Sequence, residues 1–158
     1  MVVDLRLLNK YTVKTSLDLP HLENQLMHLQ DAKFFASFDV ISGFDFLRVH
    51  PDSQHIFTIT TPFGAYEMCG APMGWSNTPQ LFQARIMQEI LEPIGLFCRP
   101  GRGCLQWIDD SLLYSNDFNE LVRMMDQFLK QVIAKGLHLS VKKCILYTEK
   151  AEFCGRTI

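Results

Sequence analysis

Cysteine pairs, net charge and long apolar runs are all scarce in this chain, and each scarcity excludes a class of protein. The five cysteines, Cys69, Cys98, Cys104, Cys144 and Cys154, are odd in number and form no CxxC pair, so neither a disulfide framework nor a zinc site is indicated. That usage fits a reducing, intracellular compartment. With 15 Lys and Arg against 17 Asp and Glu the net charge is -2, which argues against the strongly basic surface of a self-sufficient nucleic-acid binder. No apolar run approaches the ~20 residues that span a bilayer, and the start lacks a charged-then-apolar signal pattern, so no membrane partner is expected. Internal repeats, low-complexity tracts and linkers are missing too. What remains is a chain of 158 residues, 47% of them hydrophobic, expected to fold as one unit around a real core.

Hydrophobic periodicity orders the elements. Val2 to Arg6 reads as a short strand or extended segment. "PHLENQLMHL", from Pro20 to Leu29, places Leu22, Leu26 and Leu29 at helical spacing, with Pro20 suited to a first helical position and Asp18 just before it. "KFFASFDV", Lys33 to Val40, reads as a buried strand ending at Asp39, and Ser42-Gly43 breaks it. Short strands with turns at Pro51-Asp52 and Pro62-Phe63-Gly64 follow, then a helix from Thr78 to Leu91. A strand pair surrounds Asp109-Asp110, a long helix runs from about Phe118 to Lys135 and stops at Gly136, and two short strand segments occupy 137–147 and 151–158. The sum is an α+β unit, an antiparallel sheet with acids at its strand ends and helices covering one face.

The acids pose the chemical question. "LQWIDDSLLY" sets Asp109 and Asp110 inside an apolar run, and buried carboxylates are costly unless paired, hydrogen-bonded or metal-bound. Strand alternation sends Trp107 and Asp109 to one face and Ile108 and Asp110 to the other, unless a tight turn brings the acids to a shared edge. If Asp39 lay beside that turn, carboxylates ~5 Å apart at an effective dielectric of about 20 would repel by roughly 3 kcal/mol per pair. A divalent cation reverses that sign. Oxygen ligands without His or Cys favour Mg²⁺ or Mn²⁺, and two ions on shared carboxylates suit phosphoryl transfer. The bland alternative is that Asp-Asp marks a turn or a helix cap.

Successive blocks, in order, resemble the reverse transcriptase of long-terminal-repeat retrotransposons, especially the Ty3/gypsy group, and more distantly the retroviral enzymes. "VVDLRLLNKYTV" looks like the start of the fingers core, and "FASFDVISGFDFLRVHPDS" like the palm strand that carries the first catalytic Asp. "TTPFGAYEMCGAPMGWSNTPQLFQ" is similar to the family's glycine hairpin, nucleotide-side loop and helix. "LQWIDDSLLYS" corresponds to the Tyr-x-Asp-Asp hairpin, "LHLSVKKC" to the Lys-Cys strand and "EFCGRTI" to the primer-grip hairpin.

The resemblance implies a reverse-transcriptase palm, about 33–51 and 73–158, interleaved with partial fingers, about 1–32 and 52–72. It implies that Asp39 and Asp109 bind two Mg²⁺ or Mn²⁺ ions and that Asp110 completes the acidic set. Val40, Phe44, Met73 and Gly74 would lie beside the incoming nucleotide, with Phe44 excluding a 2′-hydroxyl. Trp107, Lys142, Cys154 and Gly155 would touch primer or template. Each has a plainer reading: Phe44 and Met73 as packing, Lys142 and Lys143 as a solvated strand edge. The implied partners are an RNA or DNA template with its primer, deoxynucleoside triphosphates, and the protease, RNase H and integrase domains of a Pol polyprotein. The implied place is the cytoplasm, within a virus-like particle, or the nucleus. Trp107 stands where the family has Tyr, and Ile56 where a lysine is common. The chain is expected to begin after the basic fingers segment and to end before a thumb, connection or RNase H domain, and so to polymerise little by itself. A catalytically silent or domesticated module that binds nucleic acid or protein is the alternative.

Overall fold

A computed structural model describes residues 3–17 and 21–158. The parts assigned above to Val2, Asp18 and Pro20 lie outside those residues.

A helix, α1 (Arg6–Tyr11), starts at the last residue of the segment expected to be extended, whose described residues 3–5 form neither helix nor strand. The reason is local: the Asp4 carboxylate accepts a hydrogen bond from the Arg6 backbone N–H at 3.1 Å and pairs with its guanidinium at 2.7 Å, which satisfies an open donor of the first turn. Next comes α2 (Leu22–Leu26), which tightens into a 3₁₀ turn at Met27–Leu29. The central strand is β1 (Phe34–Ile41). Pro51 opens a 3₁₀ stretch through Phe57, where a turn between strands was expected. A separate hairpin, β2 (Thr58–Thr61) and β3 (Gly64–Glu67), follows.

The remaining elements are α3 (Thr78–Ile86), β4 (Arg102–Trp107), β5 (Asp110–Ser115) and α4 (Phe118–Ala134). Four short strands close the chain: β6 (His138–Leu139), β7 (Ile145–Thr148), β8 (Glu152–Phe153) and β9 (Arg156–Thr157). The main sheet runs β4-β5-β1-β6, with β7 also paired to β1, and every pairing in it is antiparallel.

Alternation along β1 explains the layering. Ala36, Phe38 and Val40 face the two long helices, where Phe82, Ile86, Phe128 and Val132 complete the larger core. Phe38 and Phe128 meet with ring centroids 5.1 Å apart. On α4 the buried positions Leu121, Met124, Phe128 and Val132 recur at helical spacing; Asp117 caps its start by accepting from Glu120 N–H at 2.7 Å, and Gly136 (φ +71°) ends it. Each fully buried Phe or Leu contributes roughly 1.5–3 kcal/mol of transfer free energy. The opposite face is not bare. Phe35, Leu105, Leu112 and Tyr114 pack there under Leu22, Leu26 and Leu29 and under Phe153 of the β8–β9 hairpin.

The helix that begins at Thr78 widens into a π turn at Met87–Leu91, tightens at Glu92–Ile94 and stops at Gly95 (φ +65°). The wide turn keeps Ile90 and Leu91 in the core, both fully buried.

Candidate active site

Register brings the acids together. In the β1–β5 ladder Asp39 stands directly opposite Asp110, and in the β4–β5 ladder Trp107 stands opposite Asp110. Directly opposed residues share a face, so Trp107 and Asp110 lie on the same side of the sheet, against the alternation expected from sequence. A two-residue turn intervenes: Ile108 and Asp109 link the strands, and Ile108 takes φ +53°. A left-handed backbone is unusual for a β-branched residue and costs on the order of 1–3 kcal/mol.

Buried amides hold that turn. The Ile108 N–H donates to Gln83 Oε1 at 2.7 Å, and the Ile108 carbonyl accepts from Gln106 Nε2 at 2.8 Å. Gln83 Nε2 donates to the Gln106 carbonyl at 2.9 Å, while the Ser111 hydroxyl donates to Gln106 Oε1. The Val40 N–H donates to the Asp109 carbonyl at 3.0 Å, tying the turn to β1. Replacing Gln83 with Met, close in volume, removes both of its hydrogen bonds and leaves Ile108 N–H without its partner. The expected loss is about 2 kcal/mol in urea unfolding, with faster hydrogen exchange at the Ile108 amide. An unchanged midpoint and exchange rate would show that the amide does not hold the turn.

The carboxylates open onto two separate clefts. Asp109 lines one of about 370 Å³ together with Val40, Gly43, Phe44, Met68 and Met73. Asp39 and Asp110 line another of about 220 Å³ with Lys143, Glu152 and Phe153. Burial raises the Asp110 carboxyl above its ordinary pKa, and the Asp109 and Asp39 charges add to that; Lys143 opposes it. The Lys143 ammonium sits 2.9 Å from Asp39 Oδ2 and its own pKa is raised by that bond.

Phe44 stands edge-on to Phe82, centroids 5.5 Å apart, so it is both a wall of the Asp109 cleft and a core contact. Gly43 precedes it because a Cβ there would lie 2.4 Å from the Phe82 ring. Gly74 (φ +95°) is not among the cleft residues; its carbonyl accepts from Asn9 Nδ2 at 2.9 Å, and Asn9 Oδ1 accepts from Ser76 N–H at 3.0 Å. In this way α1 fixes the loop that carries Met73. Cys154 and Gly155 form the β8–β9 turn, both at positive φ. Lys142 is exposed, and its neighbour Lys143 is the lysine that reaches the acids.

Sequence reasoning did not find Gln83, Gln106, Asn9 or Glu152 at this site. A glutamine inside an otherwise apolar helix or strand was the available signal for the first two.

The donor chemistry fits a hard divalent cation: carboxylates, with no imidazole beside them. The Cys154 thiol nearby is pushed up to about 11, first by burial and then by the Asp110 and Asp109 charges. The spacing is looser than the donor set. Among the described residues no three His, Cys, Asp or Glu side chains are gathered closely enough to hold a metal ion. Asp109 faces one cleft and Asp39 the other, and mutual repulsion gives them no reason to converge.

Residues 1–158 match the reverse transcriptase (RNA-dependent DNA polymerase) family, and the chain belongs to it. Its curated relatives include the enzymatic polyprotein of cauliflower mosaic virus (strain Strasbourg), 32% identical over 100% of this chain and 22% of that protein. The genome polyprotein of petunia vein clearing virus (isolate Shepherd) is 32% identical over 98% of the chain and 7% of that protein. The retrovirus-related Pol polyprotein from transposon gypsy of Drosophila melanogaster is 29% identical over 98% of the chain and 14% of that protein. This chain therefore spans between 7% and 22% of each. Among solved structures, the foamy viral protease-reverse transcriptase in complex with RNA/DNA hybrid superposes with a TM-score of 0.86 at 25% identity, over 99% of this chain and 20% of that one. The same enzyme in a dRH form with ds DNA gives 0.87 at 25% identity, over 100% and 26%. The expected α+β fold and gypsy-type kinship are borne out.

Proposed function

We propose that this chain is the palm, with part of the fingers, of an RNA-directed DNA polymerase within a longer polyprotein. The palm would comprise about 33–51 and 73–158, the segments that build the main sheet and its two long helices; the fingers would comprise about 1–32 and 52–72, which include the separate β2–β3 hairpin. The observation that carries the reading is the Asp39–Asp110 register beside a strained turn that aims Asp109 into the cleft of Val40, Phe44 and Met73. An unrelated scaffold has no reason to hold an isoleucine at positive φ next to two carboxylates.

Asp39, Asp109 and Asp110 would hold two Mg²⁺ or Mn²⁺ ions, which supply charge stabilisation at the transferring phosphoryl group and lower the pKa of the primer hydroxyl. The chain's own part is positioning. Gln83 and Gln106 fix the hairpin, and Asn9 fixes the loop at Gly74, so a deoxynucleoside triphosphate meets preformed walls. Trp107, half-buried beside Asp110, would lie under the primer end, with Cys154 and Gly155 across from it. Lys142, exposed at the sheet margin, would touch template or primer phosphate. RNA/DNA hybrid and ds DNA are bound by the structural neighbours, which supports a template and primer as the partners here. Five free cysteines support action in a reducing compartment, cytoplasm or nucleus.

Primer extension on an RNA template, run with a polypeptide that carries this chain and its polyprotein flanks, tests the reading. Divalent-dependent incorporation is expected; none, with intact primer-template binding, would favour a silent binding module. Sugar choice gives a finer test. Phe44→Val opens the cleft where a 2′-hydroxyl would clash, so ribonucleotide incorporation should rise about tenfold relative to deoxyribonucleotide. An unmoved ratio assigns Phe44 to packing alone.

A further inference from the structure

Lys143 is the cation that pairs with the acidic set among the described residues, and it does so through a built contact. The turn after β6 is anchored on Asp39 itself: the Ser140 N–H donates to the Asp39 carbonyl at 2.8 Å, and the Lys143 and Cys144 N–H groups both donate to the Ser140 carbonyl at 2.9 Å. That turn delivers the Lys143 ammonium to Asp39 Oδ2 at 2.9 Å. Asp39 keeps 18% of its side chain exposed and Lys143 keeps 68%, so the carboxylate is fixed while the lysine is free to swing into water. The three aspartates all act on Lys143, Asp39 most strongly.

We propose that Lys143 is an internal counter-cation of Asp39, which neutralises the acidic edge until a divalent ion displaces it and thereby sets the metal affinity of the site. The inference rests on the metal-binding reading above and deepens it. The physical reason is competition for one oxygen. The ammonium at 2.9 Å takes up lone-pair density of Asp39 Oδ2 and repels any cation that approaches the same carboxylate, so a metal binds best once Lys143 has swung away. Lys143 is a positioning residue in this account, acting on the metal through Asp39.

Mn²⁺ titration of the 158-residue chain, read by the electron paramagnetic resonance of free Mn²⁺, tests this without any catalytic assay. Lys143→Met should tighten Mn²⁺ binding on the order of tenfold, since a unit positive charge leaves the neighbourhood of a doubly charged ion. Lys143→Arg, which keeps the charge and the pair, should stay close to wild type. Lys130→Met removes the same net charge from an ion pair with Asp126 on α4 and should also stay close. In chelator, Lys143→Met should melt a few degrees below wild type, and Mn²⁺ should restore it. Equal affinities for wild type and Lys143→Met, with binding still abolished by Asp109→Asn, would overturn the counter-cation while leaving the metal site standing. No saturable Mn²⁺ binding by any variant would overturn both.

Discussion

Asp109→Asn, placed in the longer polypeptide proposed to extend primers, should lower that extension by about a thousandfold or more while leaving the thermal midpoint within a degree or two of wild type. The substitution removes one unit of charge at nearly constant volume, and Asp109 is exposed at the tip of a turn, so little packing is lost. Its backbone carbonyl, the group that ties the turn to Val40 N–H, is retained. The effect therefore belongs to ion binding and transition-state charge rather than to folding. Asp39→Asn should act comparably on rate but also release Lys143, so its chelator-dependent stability should shift where that of Asp109→Asn does not. Extension at wild-type rate by Asp109→Asn, with the divalent requirement intact, would remove Asp109 from the metal set.

The largest stability effect is expected away from the acids. Gly103 sits in β4 at φ +142°, and a Cβ there would lie 2.3 Å from the Phe97 carbonyl oxygen. The segment before β4 folds back along it, with Arg99 N–H donating to the Arg102 carbonyl at 3.1 Å and the Cys98 thiol donating to the Cys104 carbonyl at 2.9 Å. Gly103→Ala adds backbone strain of about 1–3 kcal/mol to a backbone clash of similar size, so about 4 kcal/mol should be lost in urea unfolding. Gly74→Ala is the fair comparison: it shares a positive φ, +95°, but meets nothing within 4 Å. It should cost only the strain. Equal midpoints for the two variants would show that Phe97 moves aside freely.

Much of this site could be read from the chain before any coordinates, because motif order and apolar periodicity are local signals. The strand ending near Asp39, the helix from Thr78 and the amphipathic helix from Phe118 stand close to where the patterns put them. Tertiary polar contacts were not legible. Gln83 and Gln106 are buried for the sake of one backbone turn at Ile108, 25 residues after Gln83, and no spacing rule reports such a partner. Alternation puts Trp107 and Asp110 on opposite faces because it counts residues along an unbroken strand, and the two-residue turn resets the count so that they share one. The extended segment expected over Val2–Arg6 gives way to helix at Arg6, whose N–H is taken by the Asp4 carboxylate, and the described residues before it form no strand.

The turn at Ile108 and Asp109 also bears on the order in which the molecule assembles. A two-residue hairpin with Asn-Gly at its tip zips from the turn outward within microseconds. Here the tip opposes closure, since Ile108 must enter a left-handed backbone with Gln106 Nε2 as its local partner, and the other bonds that offset this come from Gln83 on α3 and from Val40 on β1. The pairing of β4 with β5 is thus expected to become durable only once α3 and β1 have docked. Substitutions at Ile108 and at Gln83 should then change folding and unfolding rates in the same proportion, as members of one nucleus, and Ile108→Gly should speed closure of a hairpin whose position in the sheet it does not otherwise alter.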